Sequence, residues 1–180
     1  MHRLFVALMI PELQRQQMAL LQGGLTGARW VEPEKFHLTL RFIGSVRPDD
    51  VRDITESLSR ISAEAFDLHL NGIGVFDPGN RPRSLWAAVQ DPDPLIALHE
   101  QCNQALRRLD VMEERRKFLP HVSLARLGDT PRGELVRYLE MHGGFACPSF
   151  VVDHFCLIRS HLGKSGAVYE IVEEFPLLDR

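Results

Sequence analysis

Apolar positions recur along the chain with two periods. Arg3 to Ile10 is an almost unbroken apolar run that reads as a buried strand. After Pro11-Glu12 the spacing becomes helical from Leu13 to Leu21, and Gly23-Gly24 ends it. Trp30-Val31 lies in a short extended piece. From Phe36 to Ile43 the period returns to two, His37, Thr39 and Arg41 alternating with Leu38, Leu40 and Phe42. Pro48-Asp49-Asp50 opens a second helix, with Val51, Ile54, Leu58 and Ile61 at helical spacing. Phe66 to Leu70 reads as a strand, residues 71–79 as a loop or bulged edge, and Ser84 to Gln90 as another strand. Pro92 to Leu109 is a third helix whose apolar face carries Leu95, Leu98, Cys102, Ala105, Leu106 and Leu109.

The second half repeats the order. Pro120 to Leu127 reads as a strand with His121 and Ser123 on one face, and Pro131 to Met141 as a helix stopped by Gly143-Gly144. Phe150 to Arg159 and Ala167 to Phe175 close the chain as two strands, with residues 163–166 as the turn. Hairpin neighbours mixed with helical crossovers predict an α+β fold with mixed or antiparallel sheet, not a doubly wound parallel one.

Composition changes this picture little. Apolar residues make up 44% and charged residues 25%, which is ordinary for one globular domain, here residues 1–180. A net charge of −3 argues against indiscriminate coating of nucleic acid, though not against one local basic cleft. Cys102, Cys147 and Cys156 have neither the even number nor the spacing of a disulfide or zinc framework, so reduced thiols and a cytoplasmic location are expected. The first residues are too short an apolar run for a signal peptide, and no segment approaches the length of a membrane span.

The chemistry lies in a repeat. Phe36-His37-Leu38-Thr39-Leu40 and Pro120-His121-Val122-Ser123-Leu124 share the form His, apolar, hydroxyl, Leu, and their histidines stand 84 residues apart. Each motif strand is followed by a helix that begins near a proline. Internal duplication is the simplest origin, giving two pseudo-symmetric lobes with outer helices and a cleft between them. Residues i and i+2 of a strand share a face, so each motif sets an imidazole beside a hydroxyl. Two imidazoles facing one phosphate supply the proton acceptor and proton donor of phosphodiester hydrolysis, while the hydroxyls of Thr39 and Ser123 donate to its non-bridging oxygens. Neither metal nor cofactor is required. Arg41 shares the face of His37 and Thr39 on strict alternation and is a candidate phosphate contact. Arg81 and Arg83 flank a proline in a loop and are candidate contacts for the backbone of a phosphodiester substrate.

At these motifs the sequence resembles the two-histidine (2H) phosphoesterase superfamily, and more narrowly the bacterial and archaeal RNA 2′,3′-cyclic phosphodiesterases once called 2′-5′ RNA ligases. The likeness also takes in Arg3–Leu8, Ala28–Val31, Arg81–Trp86, Arg159–Gly163 and Tyr169. It implies hydrolysis of a terminal 2′,3′-cyclic phosphate to a 2′-phosphate, with His37, Thr39, His121 and Ser123 in the site. It further implies that Phe42 and Arg126, five residues after each histidine, meet the terminal nucleobase. On an ideal strand position i+5 faces away from position i, so those two reach the cleft only if each strand bulges or twists. RNA 3′ ends or small cyclic nucleotides are the expected partners, and the protein is expected to be a monomer. Two alternatives share the motif residues: a 2′-5′ ligase or phosphodiesterase on tRNA halves or oligoadenylates, and a module that binds RNA ends without catalysis.

Overall fold

The computed structural model describes residues 1–78, 81–109, 111, 117–163 and 166–179. Residues 79–80, 112–116 and 164–165 lie outside them, and with them the end of the stretch read as 71–79 and the middle of the turn expected at 163–166.

Among the described residues nine strands and four α-helices follow one another, one strand more than expected. They are β1 (His2–Met9), α1 (Glu12–Ala19), β2 (Ala28–Trp30), β3 (His37–Val46), α2 (Asp50–Ser59), β4 (Phe66–Phe76) and β5 (Ser84–Gln90). After these come α3 (Asp93–Arg107), β6 (His121–Leu127), α4 (Arg132–His142), β7 (Phe150–Val152), β8 (His154–Gly163) and β9 (Gly166–Pro176). Prolines stand at the N-termini of α1, α3 and α4, where the absent N–H has no helical partner to lose.

All strands enter one antiparallel sheet in the order β7-β4-β5-β6-β3-β1-β8-β9, with β2 alongside β6. The duplication is legible in the connections. The unit β1-α1-β3-α2 recurs as β5-α3-β6-α4, each with its two strands antiparallel neighbours. The strands that complete the units are exchanged. β4 follows the first unit in the chain but pairs with β5 of the second, and β8 follows the second unit but pairs with β1 of the first. The lobes are thereby laced together, and they meet where β3 pairs with β6 at Leu38 and Val122.

One face of the sheet packs under the helices. Leu4, Val6, Leu8, Leu38, Leu40, Leu85, Ala87, Val122 and Leu124 from the strands join Met18, Ile54, Leu58, Leu98, Leu106 and Leu135 from the helices in one buried core. Burying a side chain such as Leu38 stabilises the fold by roughly 1.5–3 kcal/mol. The alternate residues of β1 face the other way, where Phe5 and Ala7 form a small cluster with Cys156 and Ile158, edged by Met9 and Tyr169.

Of the two readings of residues 71–79, the bulged strand holds for 71–76, which continue β4: a register break between Leu70 and Ile73, with Gly72 at φ +83°, lets the strand resume its pairing. One expectation is corrected. The expected strand Phe150–Arg159 is two strands separated at Asp153, because β7 pairs with β4 in one lobe and β8 with β1 in the other.

Candidate active site

The two motifs form adjacent antiparallel strands with Leu38 opposite Val122. One step along this register sets His37 opposite Ser123 and Thr39 opposite His121. The apolar residues Leu38 and Val122 point into the core, both fully buried, so the two imidazoles and two hydroxyls share the opposite face. The histidines are diagonal neighbours, which in such a ladder lie roughly 7–8 Å apart.

Each ring is fixed in the same way. His37 donates from Nδ1 to the carbonyl of Lys35 at 2.8 Å, and His121 donates from Nδ1 to the carbonyl of Leu119 at 2.7 Å. A carbonyl can only accept, so the neutral ring carries its proton on Nδ1 and keeps a lone pair on Nε2. An aromatic edge braces each imidazole: Tyr169 meets His37 at a centroid distance of 5.2 Å and an interplanar angle of 84°, and Phe76 meets His121 at 4.9 Å and 83°. Phe5 packs on His37 at 5.1 Å and Trp86 on His121 at 6.0 Å. Burial pushes both imidazoles below the ordinary histidine range, with the backbone hydrogen bond opposing it in each case. A charge on His121 lowers His37 further, so the rings sense one another.

Both motif strands bulge at the same place. Val6 pairs with Arg41 but Ala7 with Thr39, leaving Leu40 unpaired. Leu85 pairs with Ala125 but Trp86 with Ser123, leaving Leu124 unpaired. Each extra residue stands three places after its histidine and reverses the alternation beyond it. Phe42, opposite Phe5 and 54% exposed, therefore lies on the histidine face. Arg126, exposed and opposite Ser84, lies on that face as well. The carbonyls of both bulges are capped: His99 Nδ1 donates to Leu40 at 2.7 Å, and the Val31 N–H to Leu124 at 2.9 Å.

The same bulge overturns the expectation for Arg41. Instead of sharing the face of His37 and Thr39, it pairs with Val6 and is turned into the core, 3% exposed, near enough to Cys102 to act on its thiol. The antiparallel register also sets Phe42 and Arg126 on either side of the histidine pair, so a base gripped by both must span the cleft. Arg81, Arg83 and Ser84 lead into β5 beside the end of β6, where the Leu127 N–H donates to the Arg83 carbonyl at 2.8 Å.

Sequence reasoning missed the aromatic supports. Trp86 enters the sequence reading only as the end of the block Arg81–Trp86, yet its indole lies over Gly74, where a Cβ would come within 2.3 Å of the ring, and it reaches Phe76 and His121. A glycine directly across from a tryptophan in a hairpin was the available signal. His154, Cys156 and Glu174 also bring potential ligand atoms within 4.8 Å of one another. Burial pushes the Cys156 thiol up to about 11, and His154 Nδ1 is paired with Asp153, so this group is not poised as a ligand set.

Two neutral imidazoles with outward Nε2 atoms, each beside a hydroxyl, suit a phosphate that must gain one proton and lose another during reaction. Fold and site together define a two-histidine phosphoesterase. The family model described as LigT like Phosphoesterase matches residues 8–86 and 88–169, one motif in each segment, and the chain belongs to that family. An RNA 2′,3′-cyclic phosphodiesterase of Aeropyrum pernix is 32% identical over 92% of this chain and 95% of its own length. Among solved structures, a protein of Thermus thermophilus superposes with a TM-score of 0.81 at 25% identity, covering 97% of each chain. LigT of E. coli, solved in complex with NADP+, superposes at 0.78 and 25% identity, over 98% of this chain and 97% of that one.

Proposed function

We propose that this phosphoesterase hydrolyses the terminal 2′,3′-cyclic phosphate of RNA to a 2′-phosphate, by acid–base catalysis from His37 and His121 without a metal ion. The observation that carries the reading is the matched pair of Nδ1-anchored imidazoles on one open sheet face. The neutral ring takes a proton at Nε2 from the attacking water as its oxygen bonds to phosphorus. The P–O3′ bond breaks in line, and the other ring, as imidazolium, gives its proton to the departing 3′ oxygen. Thr39 and Ser123 donate to the non-bridging oxygens, where charge builds. The phosphate itself draws one histidine into its charged form, offsetting the burial that disfavours the cation.

Phe42 offers an exposed ring beside Phe5 as a base platform, and Arg126 a guanidinium, contacts indifferent to base identity. On this reading residues 1–180 work as a single bilobal domain, a cytoplasmic monomer acting on RNA 3′ ends or small cyclic nucleotides. Among the described residues no helix is long and apolar enough to cross a membrane. The test is incubation with an oligonucleotide ending in a 2′,3′-cyclic phosphate, with the product isomer identified. A 2′-phosphate is expected; a 3′-phosphate, or an untouched substrate, contradicts the proposal.

A further inference from the structure

Arg29 of β2 lies directly opposite Arg126 of β6. Cross-strand partners carry their Cβ atoms about 4.5–5.5 Å apart on one face, and like charges so placed repel. Ala28 and Trp30 pack against the core, so Arg29 projects from the other face, that of His121 and Ser123. Both arginines are exposed. Among the described residues neither guanidinium has an acidic partner.

The main chain holds the two together. The Val31 N–H donates to the Leu124 carbonyl at 2.9 Å and the Gly128 N–H to the Gly27 carbonyl at 3.1 Å. Gly27 adopts φ +74°, and a Cβ there would meet the backbone of Asp129 and Thr130 at 3.3 Å. The strands cannot slide to separate the charges, whereas an anion between them removes the repulsion. Two guanidinium forks side by side match the two non-bridging oxygens of a phosphodiester.

We propose that Arg29 and Arg126 form a second phosphate subsite, holding an internucleotide phosphate of the RNA chain whose end is being hydrolysed. This rests on the phosphodiesterase reading of the histidine cleft. Arg126 is five residues beyond His121; with one residue lost to the bulge, it lies about 13 Å along the strand, too far for one phosphate to meet both. A 3′-terminal cyclic phosphate has chain only on its 5′ side, so the second phosphate belongs to a 5′ nucleotide. The flat face of Arg126 stays available to a base while its N–H edge turns to the phosphate. The site thereby selects RNA ends over free cyclic mononucleotides.

The test compares the wild type, Arg29→Gln and the charge-matched Arg52→Gln, whose exposed side chain is on α2. Binding of an oligonucleotide ending in a 2′-phosphate is measured against salt. The Arg29→Gln protein should show a log–log slope shallower by about 0.7, one phosphate contact on a single strand, with Arg52→Gln like the wild type. The preference for an oligonucleotide over a 2′,3′-cyclic mononucleotide, taken as the ratio of KM values, should shrink several-fold in Arg29→Gln only. Equal slopes for the two variants, or a KM rise as large for the mononucleotide as for the oligonucleotide, would overturn the subsite. A wild type that binds RNA with an Arg29-dependent slope yet hydrolyses neither substrate would sink the phosphodiesterase reading and leave the subsite standing.

Discussion

Leu40 and Leu124 stand unpaired at equivalent positions, each three residues after a motif histidine, and each has its carbonyl capped from outside its strand pair. The shared bulge brings Phe42 and Arg126 round to the histidine face. On the proposed reading Phe42→Ala raises KM for RNA by about 5- to 150-fold, from roughly 1–3 kcal/mol of stacking per base, with kcat less affected. Because Phe42 is 54% exposed, its melting temperature should stay close to wild type. A large drop in melting temperature with unchanged KM would show that Phe42 only packs.

His99 holds the first bulge from α3. Its Nδ1 reaches the Leu40 carbonyl, its Nε2 pairs with Asn103 Nδ2 at 2.9 Å, and its ring stacks on Phe118 at 4.0 Å. His99→Ala leaves a bulge carbonyl without its donor and should destabilise the protein by about 1–3 kcal/mol. KM for RNA should rise with it, since Phe42 loses its seat. A variant destabilised but with native KM separates the bulge from substrate binding.

Much of this was legible in the sequence. The two motifs, the helices after them and the near-halving of the chain read directly from residue periods, and both histidines fell where alternation put them. Arg41 did not, because one inserted residue reverses every side chain beyond it, and nothing in His-Leu-Thr-Leu-Arg-Phe marks an insertion. The exchange of β4 and β8 between lobes was equally hidden. Pairing partners are set by the whole sheet, whereas the periodicity of Phe66–Leu70 or Phe150–Arg159 reports only that a strand exists.

Gly74 tests the support of His121. A Cβ there would lie 2.3 Å from the Trp86 indole, so Gly74→Ala must move the ring that packs on His121. Tryptophan emission should shift, and kcat should fall several-fold with KM less changed. Native emission and native kcat together would show that the indole is not a brace.

Burial depresses both motif histidines, so the folded protein takes up fewer protons than the unfolded chain as pH falls through the ordinary histidine value of 6.5. Stability contributed by the neutral rings is present above that value and is lost as pH falls from it toward the folded-state values. Urea unfolding between about pH 7.5 and 5 should show this loss, and the double variant His37→Gln, His121→Gln should flatten it. An unchanged pH slope in that variant would mean that other groups carry the dependence.

The central claim is that the two imidazoles act as one acid–base unit. Single-turnover cleavage of an oligonucleotide ending in a 2′,3′-cyclic phosphate, in excess EDTA, should be compared for wild type, His37→Ala, His121→Ala and the double variant. Each single replacement should cost roughly 10²–10⁴-fold, and the double variant little more than either, as for groups that act together. The wild type should keep its full rate in chelator. Near-normal turnover without either ring, or wild-type activity abolished by EDTA and restored by a divalent ion, would contradict it.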